Sequence, residues 1–316
     1  VLRLVSCAVL AAVALTACTP GADQARSVSP RTAVQATATG VAINKGPTDP
    51  AFAADRLRAV DPCGLLDKKT QALVGTPGEA AGNPFTGCQV SMKDGSGQAM
   101  QLSLDLGSPI SEVKKDATTE LAGTRVLETR QGSGCMDKAI TQDTPGLGLV
   151  LRVDAKGGTD PCEVARKLVT AVLGRLRTAP PAMNNPKGTL AVVDPCALVD
   201  KATVDSLVGT SATAQPQQLH ECLWRQPGVL LYVTFRMSGD PSMPVLEHKT
   251  TPVDLGGLTA YQLPNISTLA GCSVSWWPRA TAAASETVVI RYDAEGDSCA
   301  KAVAAAKVVA GKLPRS

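Results

Sequence analysis

The chain has 316 residues, long enough for two domains, and carries 31 Lys+Arg against 28 Asp+Glu. A net charge of +3 excludes the strongly basic surface that nucleic-acid binding requires. With 10 cysteines and two histidines, the composition points to disulfide scaffolding rather than imidazole chemistry.

Arg3 precedes an apolar run from Leu4 to Leu15 that ends in Leu15-Thr16-Ala17-Cys18. A charged start, a short apolar stretch and small residues at its end read as a secretory signal over residues 1–17. The run falls short of the roughly 20 apolar residues that span a bilayer. Its last four residues resemble a bacterial lipobox, which implies cleavage before Cys18 and acylation of that cysteine. Each buried CH₂ contributes about 0.8 kcal/mol, so several acyl chains would hold the chain on the outer face of the cytoplasmic membrane. Residues 18–55 then read as the lipidated cysteine and a flexible tether of Ala, Thr, Ser, Gly and Pro without periodicity.

Eight cysteines remain: Cys63, Cys88, Cys135 and Cys162, then Cys196, Cys222, Cys272 and Cys299. Their gaps are 25, 47 and 27 residues in the first set and 26, 50 and 27 in the second. The flanking words recur too. Asp61-Pro62-Cys63-Gly64-Leu65 answers Asp194-Pro195-Cys196-Ala197-Leu198, and Leu73-Val74-Gly75-Thr76 returns as Leu207-Val208-Gly209-Thr210. This is a duplication, with copies over residues 56–178 and 189–316 and a proline-bearing joint over 179–188.

Each copy reads as a helix, two strands, a variable segment, three strands and a helix. Asp61-Pro62 opens the leading helix, an N-cap carboxylate followed by proline at the first helical position. Cys63, Leu66, Thr70 and Leu73 would share its buried face. Met100, Leu102, Leu104 and Leu106 alternate with Gln101, Ser103 and Asp105, a strand covered on one side. In the variable segment Ile110, Val113, Ala117 and Leu121 make a helical stripe, which Gly239-Asp240-Pro241 and Pro244 shorten or abolish in the second copy. Asp160-Pro161-Cys162-Glu163 caps the closing helix, and its counterpart from Cys299 to Lys312 is rich in alanine. The expected class is α+β: two tandem copies of an antiparallel sheet packed on N- and C-terminal helices.

Four cysteines per copy allow three pairings. Local geometry favours Cys135–Cys162, because a hairpin returns the chain to the end of the strand that Cys135 begins, where the next helix starts. Cys63–Cys88 would follow, with Cys196–Cys222 and Cys272–Cys299 in the second copy. Each bridge would contribute roughly 3–4 kcal/mol. No CxxC pair is present and the first copy lacks histidine, so a zinc site is not expected.

The lipobox, polar tether and Asp-Pro-Cys-x-Leu helix start resemble a family of actinobacterial lipoproteins catalogued as domain of unknown function 3558. The resemblance rests on Asp61–Leu66 and Asp194–Val199 and covers both copies, whereas the family usually has one. The four-cysteine α+β plan is more loosely similar to extracellular sensor domains of mycobacterial serine/threonine kinases. Both imply an extracytoplasmic location, and neither implies catalytic residues.

No acid, base and nucleophile come together in the sequence. His220 and His248 read as solvated surface residues. Ser111-Glu112-Val113-Lys114 spells the Ser-x-x-Lys of penicillin-binding enzymes without its partner motifs, and Asn265-Ile266-Ser267 is a glycosylation sequon by spelling only. Neither a catalytic residue nor a cofactor is expected.

Seven of nine aromatic residues fall in the second copy: Trp224, Tyr232, Phe235, Tyr261, Trp276, Trp277 and Tyr292. Most would fill its core, but adjacent Trp276 and Trp277 must face opposite ways in a strand. Parity turns Trp276 inward and Trp277 outward, together with Tyr232, Arg225, Arg236 and Arg291. An outer sheet face with Trp, Tyr and Arg has hot-spot composition. The corresponding face of the first copy reads Gln89, Ser91, Lys93, Gln101, Ser103, Asp105, Arg152 and Asp154, a solvated surface. The expectation is a binding module, anchored to the membrane through lipid on Cys18, whose partner is an envelope protein or cell-wall component. A carrier of a lipid or other hydrophobic molecule is the alternative, and would need a cavity of several hundred Å³.

Overall fold

The computed structural model describes residues 49–313, except for 83–84, 86, 111–114, 145, 185–188, 245–247, 265–270 and 280–284. Cys18, most of the tether, Ser111 to Lys114 and Asn265 to Ser267 lie outside the described residues.

The first copy contains short helices α1 (Ala54–Arg58), α2 (Pro62–Leu65) and α3 (Lys68–Gln71), strands β1 (Gly75–Ala81), β2 (Gly87–Asp94) and β3 (Ala99–Pro109), then β4 (Thr119–Leu121), β5 (Thr124–Gln131), β6 (Gly134–Gln142) and β7 (Leu147–Ala155), closed by α4 (Pro161–Thr178). The second has α5 (Lys201–Leu207), β8 (Ala214–Gln218), β9 (Glu221–Gln226), β10 (Val229–Ser238), β11 (Thr251–Asp254), β12 (Thr259–Pro264), β13 (Gly271–Trp276), β14 (Ser285–Asp293) and α6 (Ser298–Lys312). Both make a seven-stranded antiparallel sheet, ordered β1-β2-β3-β7-β6-β5-β4 and β8-β9-β10-β14-β13-β12-β11. The two orders are the same topology, as a duplication requires.

Two strands per sheet exceed the expectation. β1 and β8 form one edge, and β4 and β11 the other. Edge strands need no alternation because little of them is buried, and all four carry a proline or span only three residues. Leu121 accordingly sits in β4 rather than on a helix.

The leading helix is broken. Leu66 leaves helical geometry at φ −99° and ψ 39°, and Asp67 starts a new turn by accepting from the Thr70 N–H at 2.8 Å. Arg175 of α4 locks the break, donating to the Leu65 carbonyl at 3.2 Å and pairing with Asp67 at 3.0 Å. Leu73, expected on the buried face, is 55% exposed because the helix ends before it.

Residues 49–55 do not belong to a flexible tether. Asp49 caps a 3₁₀ turn over Pro50–Phe52, and Arg177 of α4 grips it, with Nε 2.8 Å from Asp49 and the guanidinium 4.9 Å above the Phe52 ring.

The four disulfides are Cys63–Cys88, Cys135–Cys162, Cys196–Cys222 and Cys272–Cys299, the pairing that hairpin geometry favours. In each copy one bridge ties the leading helical turn to the second strand, and the other ties the closing helix to the strand beneath it.

The cores keep volume by trading it between layers. Val90, Ala139 and Val153 of the first sheet correspond to Trp224, Trp276 and Tyr292 of the second, all buried. The overlying helices compensate, with Leu168 and Val169 of α4 answered by Ala305 and Ala306 of α6. Large sheet residues meet a small helix face, and the reverse holds in the other copy.

The copies interlock. Phe85 precedes Cys88 by three residues, as Leu219 precedes Cys222, and each joins the other copy's core. Leu219 rests on Gly107, whose φ of +69° and missing Cβ make room; an added Cβ would fall 2.3 Å from the Leu219 Cγ. Arg58, nearly buried, donates to the Leu219 carbonyl at 2.8 Å and pairs with Asp194 at 3.1 Å. His220 is buried here, not solvated: its Nε2 lies 2.7 Å from the Ala191 carbonyl and its ring 5.1 Å from Phe85. Burial, with the nearby Arg58 charge, lowers its pKa to about 4. The joint is also pinned, since Asp61 donates to the Pro181 carbonyl at 2.9 Å and Met183 to that of Ala59 at 3.0 Å.

Leu219→Ala should therefore lower unfolding free energy by about 2–5 kcal/mol, the usual cost of emptying a buried leucine site. Met243→Ala, at an exposed site, should change it by less than about 0.5 kcal/mol. Chemical denaturation of the two variants against the parent measures both.

Candidate binding face

Helices cover one side of the second sheet, with α6 packed on β12, β13 and β14. Residues paired across antiparallel strands point the same way, so the register defines the opposite side. One row runs Leu223, Tyr232, Arg291, Ser273 and Leu263. The next runs Glu221, Thr234, Val289, Ser275 and Tyr261. Between these positions lie the inward residues Cys222, Val233, Ile290 and Val274, all buried, and half-buried Gln262.

Tyr232 and Arg291 are direct cross-strand partners, with the guanidinium 5.6 Å from the ring centroid. Arg291 also holds the Asp293 carboxylate, through Nε at 3.0 Å and Nη2 at 2.7 Å. Those bonds raise its pKa above the usual arginine value. Burial raises the Tyr232 phenol, the charges on Asp293 and Glu221 add to this, and Arg291 opposes it. Arg225 stands opposite Leu230 and Arg236 opposite Thr287, both exposed at the margins.

Four of the five residues singled out by parity thus share this face, and Tyr232 and Arg291 touch. Trp277 differs from its expected role as an outward platform. It follows the last residue of β13, is half-buried, and its indole nitrogen is enclosed without a partner among the described residues. Sequence reasoning missed Leu223, Leu230, Tyr261, Leu263 and Val289. The β12 alternation around buried Ala260 was the available signal for Tyr261 and Leu263. On the first sheet the outer side is polar, with Gln89, Ser91, Lys93, Gln101, Arg152 and Asp154 exposed.

Two other features bear on ligands. An open groove of about 690 Å³ lies in the first copy between Ala72–Gly75 and the start of α4, with Asp160, Glu163 and Lys167 among its walls. A carboxylate of Glu128 and the sulfurs of Cys135 and Cys162 lie within 4.8 Å of one another, but those sulfurs are bonded to each other and donate nothing to a metal.

No family model and no curated protein matches the chain. Among solved structures, the crystal structure of the di-domain ARO/CYC BexL from the BE-7585A biosynthetic pathway aligns over 85% of this chain and 97% of that one, at 10% identity and a TM-score of 0.15. A superposition that poor carries no inference about fold or activity.

The Tyr232–Arg291 contact has a spectroscopic signature. In Arg291→Met the cation above the ring is lost, so Tyr232 should ionise at higher pH than in the parent. Absorbance titration of tyrosinate, with Tyr232→Phe to identify the residue's own step, reads the shift.

Proposed function

We propose that the chain is a non-catalytic binding module of the cell envelope, anchored by lipid on Cys18, that captures an acidic protein partner on the outer face of its second sheet. One observation carries this reading: the two copies share a topology, yet only one outer face pairs Tyr232 with Arg291 amid Leu230, Leu263 and Val289. Duplication supplied two equivalent faces, and one stayed an ordinary solvated surface. Apolar side chains ringed by arginines suit a partner that offers an apolar centre and carboxylates. Arg225 and Arg236, exposed at the margin, would contribute mainly to association rate and salt dependence. The resemblance to the actinobacterial lipoprotein family supports the envelope location and names no ligand.

The carrier reading draws on the 690 Å³ groove, whose open form and charged walls suit a solvated ligand better than a lipid tail.

The test uses lipidated protein extracted gently from its own membranes. Tyr232→Ala combined with Leu263→Ala should abolish recovery of a co-purifying polypeptide, while thermal unfolding changes little. Arg236→Glu should slow association and reduce its salt dependence. Undiminished recovery by the double variant would refute the face. A small mass released on denaturation, seen by native mass spectrometry, would instead establish the carrier reading.

A further inference from the structure

A second feature lies away from this face, beneath the closing helix of the first copy. Asp137 stands on the inner side of β6, 0% exposed, and both its carboxylate oxygens are enclosed without a hydrogen-bond partner among the described residues. An ionised carboxylate so placed is costly, and such groups commonly keep their proton. Directly opposite on β5 is Glu128, whose carboxylate holds Arg166 of α4 at 2.6 Å. On the β7 side the partner is Leu151, which carries no charge. Asp160, at the α4 N-cap, pairs with Arg130 and acts on Arg166 from outside the layer.

One cation therefore serves two carboxyls, and the trio is neutral only while one carboxyl holds a proton. Burial raises the pKa of Asp137 to about 7; the Glu128 charge adds to the rise and Arg166 opposes it.

The second copy is a built-in control. Asp137 follows Cys135 by two residues, where Val274 follows Cys272. Glu128 faces Asp137 as Gln262 faces Val274. Arg166 follows Cys162 by four residues, where Val303 follows Cys299. The same strands, disulfide and helix are thus assembled with no ionisable group, so the fold does not require the trio.

We propose that Asp137, Glu128 and Arg166 form a proton-operated latch, holding α4 on the first sheet while Asp137 is neutral and loosening it when Asp137 ionises. A new carboxylate there would compete with Glu128 for Arg166, and Arg166 is carried by α4. The direction follows from linkage. The unfolded chain releases this proton near 3.8, whereas the folded chain holds it to about 7. The stabilisation is complete below the unfolded value, is lost as pH rises through the folded value, and stays lost above it.

Amide hydrogen exchange on the full chain between about pH 5 and 8, corrected for intrinsic rates, tests the latch. In the parent, α4 should lose at least about tenfold in protection as pH rises, since one pKa unit is a tenfold effect, while α6 holds constant. Asp137→Asn and Asp137→Val, the latter the residue of the second copy, should remove the dependence. Glu128→Gln, which keeps Asp137 but deletes the competing carboxylate, should move the midpoint to lower pH. An equal response of α4 and α6 in the parent, a dependence surviving both Asp137 variants, or an unmoved midpoint in Glu128→Gln would each overturn the proposal.

Discussion

Each sheet buries one face under a single long helix, and the rest of the structure depends on that contact. A seven-stranded sheet has far more inner surface than one helix covers, so the helix must be fixed in place rather than left to find the best fit. Cys135–Cys162 and Cys272–Cys299 do this by tying the first turn of α4 and α6 to the strand underneath. The leading turns, tied by Cys63–Cys88 and Cys196–Cys222, cover the inner surface toward the other edge. With both covers stapled, side-chain volume can shift between sheet and helix without changing the topology. Trp276 over an alanine-rich α6, and Ala139 under a leucine-bearing α4, are two solutions of the same packing problem.

That freedom let the copies diverge in what they expose and what they bury. The second copy carries its aromatic residues on both sides of the sheet, with Trp224, Trp276 and Tyr292 inside and Tyr232 and Tyr261 on the outer face. The first keeps a polar outer face and places an acid, Asp137, where the second has Val274. A buried unpartnered carboxyl is tolerable in a copy whose core is rich in leucine and valine and whose helix is covalently held.

The duplication, the disulfide pairing, the closing helices and the parity of β10 and β14 were legible because each leaves a periodic or spaced mark. Cysteine gaps and Asp-Pro-Cys words repeat, and buried residues alternate along Leu231 to Phe235. The edge strands left no mark, since β1 reads Gly-Thr-Pro-Gly-Glu-Ala-Ala and gains its hydrogen bonds from a neighbour rather than from its own pattern. The break between α2 and α3 was hidden because Arg175, which stabilises it, lies more than a hundred residues away. Tyr232 and Arg291 could be placed on one face, but their contact depends on a register that pairs strands nearly sixty residues apart. In the sequence Asp137 is one acid within an alternating strand. Its burial shows only once α4 is laid over β6.

The seam between copies has the same origin as its least legible residues. Phe85 is the first copy's only aromatic residue in the segment from Cys63 to Cys162, and it contributes nothing to that copy's core; it completes the other one. Leu219 does the converse. Because these two positions are equivalent by cysteine spacing, the exchange is reciprocal, the arrangement expected when like surfaces meet. Arg58 and His220 then bury polar groups in the seam, Arg58 donating to the Leu219 carbonyl and His220 meeting the Ala191 carbonyl through Nε2, and the pinned joint removes the slack that a flexible linker would leave. Two copies held in this way cannot present their outer faces independently. A partner captured on the second sheet would therefore meet a rigid surface, and the entropy cost of ordering it would fall on the partner alone.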